Sequence, residues 1–355
     1  QHWCWQRVSY SSSSLLSCAT MTTTTIGAGM CNSPYDTPEW EEVTMDLTKL
    51  TALAKQAPVI GNAAVDEQRE LHVDGDYAAY YYSGTDSTSP WEARRAMIDA
   101  ITAILGKTGC ARVVVHMTAG GSHKGHRYKI ATVKPYQGQR DGGRKPKNWH
   151  VMRSWLEGGA TGLAHCEVVT WEDREADDGC AWCCADAWAN GKIPFVLSRD
   201  KDFRMFSAHH VVWTTHEIVV VPPGTWAITH NGDLYGHKWF WSQMLQADTA
   251  DNIPGLERYV DSKGKVKLCG PATADKLLVH CHDNMTAADA VFMYYLDYYK
   301  DAAPDRLVEQ AALLWMRTDP TAHALDFRSV LAPQASDLAD AVEEASNALI
   351  TRIEE

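Results

Sequence analysis

Three features of this sequence predict an α/β domain with a mostly parallel sheet, followed by a helical region. Strands alternate with helices, apolar strands run directly into aspartates, and the C-terminal third is rich in helical spacing. The first strand is Leu71-His72-Val73, ending at Asp74-Gly75-Asp76, with an aromatic helical stretch at residues 77–82. Residues 91–105 place Met97, Ile98, Ile101, Ile104 and Leu105 at helical intervals, and Gly106 stops the run. Residues 112–118 read as a buried strand and 175–188 as a helix with Gly191 just beyond it. Residues 193–197 form a further strand, entering Ser198-Arg199-Asp200-Lys201-Asp202. Residues 211–222 and 226–235 read as strands, the second about an Asn231-Gly232 turn. From Asp248 the chain turns helical, closing in amphipathic segments at 306–317 and 336–353. In parallel sheets, functional groups gather past the carboxyl ends of strands, where Asp74 and Asp200 fall.

Composition limits the function classes. A chain of 355 residues, 45% hydrophobic, buries one good-sized core plus a satellite. No apolar run approaches the ~20 residues of a membrane helix, so no membrane partner is expected. The net charge of −12 argues against a nucleic-acid partner unless the acid is gathered in one metal site and the base lies elsewhere. Residues 1–45 read as a disordered leader with Ser and Thr runs, and Met21 and Met30 are candidate starts. Leu15-Leu16-Ser17-Cys18 resembles a lipoprotein cleavage box but follows serines instead of an apolar stretch, which argues against export. The ten cysteines are irregularly spaced and fit reduced thiols in a cytoplasm. Cys180, Cys183 and Cys184 suggest a zinc half-site that no second pair completes, although Cys281 lies between His280 and His282. They read instead as small buried side chains on one helix face.

Four acidic groupings carry the chemistry: Asp74 with Asp76, Glu175 with Asp177 and Asp178, Asp200 with Asp202, and Asp248 with Asp251. Mg²⁺ takes hard oxygen ligands, so carboxylates from several segments make a natural cage. Two such ions ~3.5–4 Å apart activate a water and stabilise a leaving oxygen. Each pair alone is weak, because exposed acidic pairs are common. Between the acids lies a basic segment containing Lys124, Arg127, Lys129, Lys134, Arg140, Arg144, Lys145 and Lys147, with Tyr128, Tyr136 and Trp149 among them. In so acidic a chain this reversal suits a flexible arm that gathers phosphates and stacks bases. Asp251-Asn252-Ile253-Pro254-Gly255 and Gly270-Pro271-Ala272-Thr273 are glycine-bounded turns between helices, which let backbone N–H groups approach a phosphate.

Residues 71–278 resemble, in order, the 5′-nuclease superfamily of flap endonucleases and 5′-exonucleases, in particular the 5′-to-3′ exonucleases of tailed bacteriophages. Val73-Asp74-Gly75-Asp76 resembles the first metal-ligand motif, and Tyr128-Lys129 with Tyr136-Gln137-Gly138-Gln139-Arg140 the arm motif. Glu175-Ala176-Asp177-Asp178 resembles the acidic helix motif, and Ser198-Arg199-Asp200-Lys201-Asp202-Phe203 the Asp-Lys-Asp motif. The segment from Asp248 to Leu256 is similar to the motif that opens a helix–three-turn–helix DNA clamp. The resemblance implies a PIN-like catalytic domain at residues 46–245 with an arm near 120–150, a DNA-binding region at 246–300 and C-terminal helices at 301–355. It implies two Mg²⁺ or Mn²⁺ ions, K⁺ in the clamp, and a two-metal hydrolysis of DNA in phage replication or recombination, with an RNA primer as a further substrate.

Asp74, Glu175, Asp177 and Asp178 would hold the first ion, and Asp200, Asp202, Asp248 and Asp251 the second, with Asp76 an additional candidate. Lys124, Arg127, Tyr128, Tyr136, Arg144, Lys145, Lys147, Gly255, Gly270 and Thr273 would contact DNA. Three departures stand out. Met117-Thr118-Ala119 lacks the Asp that relatives carry after the second strand. Gln137 replaces the arm lysine, leaving phosphate polarisation to Lys129, Lys134 or Arg140. Residues 257–269 are inserted in the clamp. Two other readings compete: a DNA-binding member of the fold without cleavage, and a haloacid-dehalogenase-type phosphatase with Asp74 as nucleophile.

Overall fold

Alternation along the central strands assigns their two faces. On one face Leu71, Val73, Val113, Val115, Met117, Phe195 and Leu197 pack into one apolar cluster, while Val196, from the opposite face, joins another. The computed structural model describes residues 63–355 apart from 141–142, 257–258, 261–262, 268 and 332–335. The expected leader, its start sites and residues 46–62 lie outside the described residues.

In chain order the elements begin with β1 (Asp66–Asp74), α1 (Gly75–Tyr82), α2 (Pro90–Thr108), β2 (Cys110–Thr118), a single turn α3 (Arg127–Ile130), α4 (Trp149–Glu157) and β3 (Cys166–Trp171). Next come α5 (Ala176–Ala189), β4 (Ile193–Leu197), a 3-10 turn (Lys201–Met205), β5 (Ala208–Val211), β6 (Ile218–Val221), β7 (Ile228–His230), β8 (Asp233–Tyr235) and α6 (His237–Leu245). Then come β9 (Tyr259–Val260) and β10 (Val266–Lys267), paired as a short antiparallel hairpin, followed by α7 (Pro271–Leu277), α8 (Asn284–Tyr299), α9 (Ala303–Leu314) and α10 (Ser336–Glu354).

The main sheet runs β3-β2-β1-β4-β5-β6, parallel throughout except for β6. Helices α1, α2 and α4 supply Ala78, Ala93, Met97, Ile101, Ile104, Met152 and Leu156 to the cluster on one face. The other face is covered by α5, whose Cys180, Ala181 and Cys184 share a core with α6, α8, α9 and α10. The mostly parallel α/β architecture expected from the sequence is therefore present. Because β2 lies on one side of β1 and β4 on the other, the strand order reverses at β1. This switch opens a crevice at the carboxyl ends of β1 and β4, where ligands bind in such sheets.

Several boundaries differ from expectation. Residues 211–222 form no single strand: β5 and β6 are antiparallel partners joined by a tight turn, closed by Val212 N–H donating to the Glu217 carbonyl at 2.8 Å. Helix α2 continues past Gly106 and ends at Gly109, whose left-handed φ of 68° makes the cap. The edge strand β3 lies outside the expected elements, although its Val168-Val169-Thr170-Trp171 run has strand character.

Candidate active site

Asp74 ends β1 and caps α1, accepting a hydrogen bond from Tyr77 N–H at 3.0 Å and another from the Ser198 hydroxyl at 2.8 Å. Burial pushes its carboxyl up to about 7, and the charges of Asp76 and Asp200 add to the rise. Asp177, in the first turn of α5, is raised well above its ordinary value by burial and by Asp74, Glu175 and Asp200. Asp200 caps the 3-10 turn after β4 by accepting Asp202 N–H at 3.0 Å, and burial again raises its carboxyl. Asp202 is likewise raised to about 7, first by burial and then by Asp200. Four carboxylates so close resist ionising together, and a multivalent cation would relieve that repulsion.

The acids form two neighbouring groups. Asp74, Asp76, Glu175, Asp177, Asp200 and Asp251 line a cleft of about 610 Å³. One oxygen each from Asp202, Asp248 and Asp251 lie within 4.8 Å of one another. Between Asp202 and Asp248 stands a cation, the Lys201 ammonium, 2.8 Å from one carboxylate and 2.6 Å from the other. Gln243 also donates to Asp202. Asp248 holds the following turn by accepting Ala250 N–H at 2.8 Å, and its backbone pairs with Ile253. A second cleft, of about 760 Å³, adjoins the first and is lined by Lys124, Tyr128, Arg144, Lys145, Trp149 and Arg153 among others. The Lys145 ammonium lies 3.6 Å over the Trp149 ring.

No protein-family model and no characterised protein matches the chain by sequence. Its structure, however, is similar to several structures of a bacteriophage T5 enzyme. A T5 flap endonuclease in complex with DNA and metal ions matches with a TM-score of 0.52 at 15% identity, over 81% of this chain and 100% of that one. The T5 protein co-crystallised with metal ions matches at 0.50 and 14%, over 80% and 99%. The T5 5′-exonuclease with bound zinc matches at 0.50 and 15%, again over 80% and 99%. The chain has the PIN-like fold of these phage 5′-nucleases.

Within that fold, several expected site residues have other partners. Asp178 does not line the cleft: it is fully buried and gripped by both terminal nitrogens of Arg127, at 2.5 and 2.8 Å, with Arg317 N–H at 3.1 Å. Burial alone would raise its carboxyl, but Arg127 and Arg317 hold it down at about 2. A neutralised carboxylate of this kind is a structural ion pair, so Asp178 is removed from the ligand set and Arg127 from the DNA contacts. Tyr136 is also buried, donating its hydroxyl to Glu175 at 2.7 Å, which corrects its assignment as a base-stacking residue. The first half of the basic segment is therefore no free arm. Ile130 and Tyr136 pull it into the core, and Gln139 stitches it to the Thr249 and Ala250 carbonyls at 2.5 and 2.6 Å.

Lys129, expected to polarise phosphate, lines neither cleft and donates to the Ile353 carbonyl on α10 at 2.7 Å. Lys134 is half-buried between α3 and the 3-10 turn Gly138–Arg140, which Arg140 closes. Arg144 pairs with Asp86 at 2.9 Å on the exposed rim, and Lys147 donates to the Asp86 carbonyl at 3.3 Å. Gly255 does not face solvent. Its N–H is taken by Gln310 at 2.7 Å and its carbonyl accepts the Tyr299 hydroxyl, so it is a packing residue. Gly270 caps α7 and Thr273 lies in its first turn, closing 2.9 Å back to the Gly270 carbonyl.

Gln137 explains its own presence. Its amide nitrogen bridges Glu175 at 3.2 Å and Asp251 at 3.0 Å, and its oxygen accepts the Lys124 ammonium at 2.7 Å. Two cations stand beside Glu175, the buried Arg127 at 3.3 Å and Lys124 at 3.4 Å, and of these Lys124 lines the cleft. Arg153 on α4 carries no signal in the sequence, where it is a lone arginine. It pairs with Asp76, donates to the Thr118 carbonyl at 2.6 Å, and also reaches Glu157 at 2.9 Å. The second oxygen of Asp76 accepts Thr118 N–H at 3.3 Å, placing a carboxylate at the end of β2, next to Ala119.

Proposed function

We propose that this protein is a metal-dependent 5′-to-3′ exonuclease or structure-specific flap endonuclease acting on DNA. The observation that carries the reading is the convergence of carboxylates from β1, α1, α5, the turn after β4 and the Asp248–Asp251 loop on one cleft, those of Asp74, Asp177 and Asp200 raised by burial, beside a second cleft lined with cations and rings. The donor set is all oxygen, which suits Mg²⁺ or Mn²⁺. Asp74, Asp177 and Asp200 would hold one ion, and Asp202, Asp248 and Asp251 the other. Bound there, such ions supply Lewis acidity toward the scissile phosphate and an attacking water.

The remaining groups serve substrate placement. Lys124 and Lys145 offer charge to phosphates, and Trp149 and Tyr128 offer faces for unpaired bases. Gln137 orients Glu175 and Asp251 in place of a direct phosphate contact. Gly270 and Thr273 belong to a helical clamp for duplex, with K⁺ as its ion. The host cytoplasm, in phage DNA replication or recombination, is the setting this reading implies; no helix among the described residues is long and apolar enough to cross a membrane. The phosphatase alternative is disfavoured because it leaves Glu175, Asp177 and Asp251, which share the cleft with Asp74, without a role.

The test is cleavage of duplexes bearing a 5′ flap, labelled at either end, with Mg²⁺ and with EDTA. Metal-dependent release of mononucleotides or flaps from the 5′ side is expected. Tight binding without cleavage under Mg²⁺ or Mn²⁺ would overturn the enzymatic reading in favour of a DNA-binding role.

A further inference from the structure

A second cluster of chemistry-bearing side chains lies beneath the carboxylates, on the face of the sheet that α5 covers. His72 on β1 and His116 on β2 are 1% and 0% exposed, and Cys183 approaches them from α5. One ligand atom from each of the three lies within 4.8 Å of the other two. His72 Nδ1 and His116 Nε2 face one another at 3.0 Å. Two Zn–N bonds of ~2.0 Å at a tetrahedral angle need a nitrogen separation only a few tenths of an ångström longer.

The surroundings are those of a ligand set. His72 Nε2 lies 3.2 Å from Glu70, and Glu70 is itself fixed by Arg112 and Lys192, each at 3.0 Å. A carboxylate that accepts from the far nitrogen of an imidazole orients the ring and raises its basicity toward a metal. The Cys183 sulfur is half-buried and takes no part in the histidine chain, which leaves it as a third ligand and an entry route. We propose that His72, His116 and Cys183 form a site for a thiophilic divalent ion of the Zn²⁺ class, separate from the oxygen-rich catalytic cleft. The fourth position falls to water.

One contact opposes binding and makes the proposal sharper. The Trp171 indole N–H donates to His116 Nδ1 at 3.1 Å, which fixes the His116 proton on Nε2, between the two rings. Metal binding must release the Cys183 thiol proton to solvent and move the His116 proton from Nε2 to Nδ1. Trp171 then loses its acceptor. Removing that donor should therefore strengthen binding, a result that a purely structural hydrogen-bond chain does not produce.

The full-length protein is titrated with Co²⁺ in excess Mg²⁺, so that hard-oxygen sites are occupied. One equivalent should give a near-ultraviolet thiolate-to-cobalt band, displaced by Zn²⁺. Cys183→Ser should abolish it, Glu70→Gln should weaken affinity by about 10–100-fold, and Trp171→Phe should tighten it by about 5–10-fold. Asp202→Asn should leave the band unchanged, so failure of the nuclease reading does not touch this one. In wild-type protein, Zn²⁺ should also protect Cys183 from alkylation, read by peptide mass, which covers any folding defect in the variants. The proposal is overturned by absence of a thiolate band, by a band that survives Cys183→Ser, or by Cys183 alkylating at an unchanged rate under saturating Zn²⁺.

Discussion

Replacing Asp202 with asparagine should stabilise the metal-free protein while abolishing cleavage. Asp202 is 8% exposed and its carboxyl is raised from 3.8 to about 7 by burial and by Asp200. Holding the carboxyl at about 7 instead of 3.8 corresponds to roughly 4 kcal/mol of penalty on the ionised form at alkaline pH. Asparagine avoids that penalty and keeps the oxygen that accepts from Lys201 and Gln243. Lys201 loses one of its two counter-charges but keeps Asp248 at 2.6 Å, which returns about 1–2 kcal/mol of the gain. The net expectation is about 2–3 kcal/mol at pH 8, or ~1–2 °C per kcal/mol in thermal melts.

The pH dependence follows from the sign of the shift. A carboxyl raised in the folded state favours folding when protonated. That contribution is complete below about 3.8 and is lost as the pH rises through about 7. The advantage of Asp202→Asn should therefore shrink toward zero near pH 5. Mg²⁺ should stabilise the wild type more than the variant, following the logarithm of occupancy. Melts in EDTA and in Mg²⁺ at both pH values check each part. A variant less stable than wild type at pH 8 in EDTA, or equally advantaged at pH 5 and 8, would refute the reasoning.

Arg127→Met should destabilise the protein by about 3–5 kcal/mol in urea titration, because it leaves the Asp178 carboxylate buried and unpaired. If Arg127 instead contacted DNA, stability would hold and only binding would suffer. Lys145→Ala should leave the melting temperature within about 1 °C and lower the salt slope of DNA binding by ~0.9 for duplex or ~0.7 for single strand. An unchanged slope rules out the phosphate contact. Gly255→Ala should cost at least about 2 kcal/mol by the same titration, since its φ is +54° and a Cβ would meet the Gln246 carbonyl at 2.2 Å. A neutral substitution would show that the loop can shift.

The elements that carry strong period or strong termination were legible in the sequence: the β1 and β4 strands running into Asp74 and Asp200, and helix α2 with its apolar stripe. Long-range pairing was not. Arg127 and Asp178 lie 51 positions apart, and each looks like a functional residue where charge density is the only guide. Their pairing depends on α3 being drawn against α5 and α9, which no local pattern encodes. Arg153 was invisible for the same reason, since its partners Asp76 and Thr118 arrive from other elements.

Gln137 shows how one such long-range arrangement changes the meaning of a residue. In the sequence it is a lysine lost from an arm motif, a sign of impaired chemistry. In the structure the positive charge is supplied by Lys124, thirteen positions earlier, whose ammonium reaches both the Gln137 amide and Glu175. A lysine at 137 would place a second ammonium against Lys124 and compete with it for Glu175. A neutral amide can instead donate to both Glu175 and Asp251 while accepting from the cation. The Gln137 amide is therefore coupled to Lys124, which brings positive charge to this edge of the cleft.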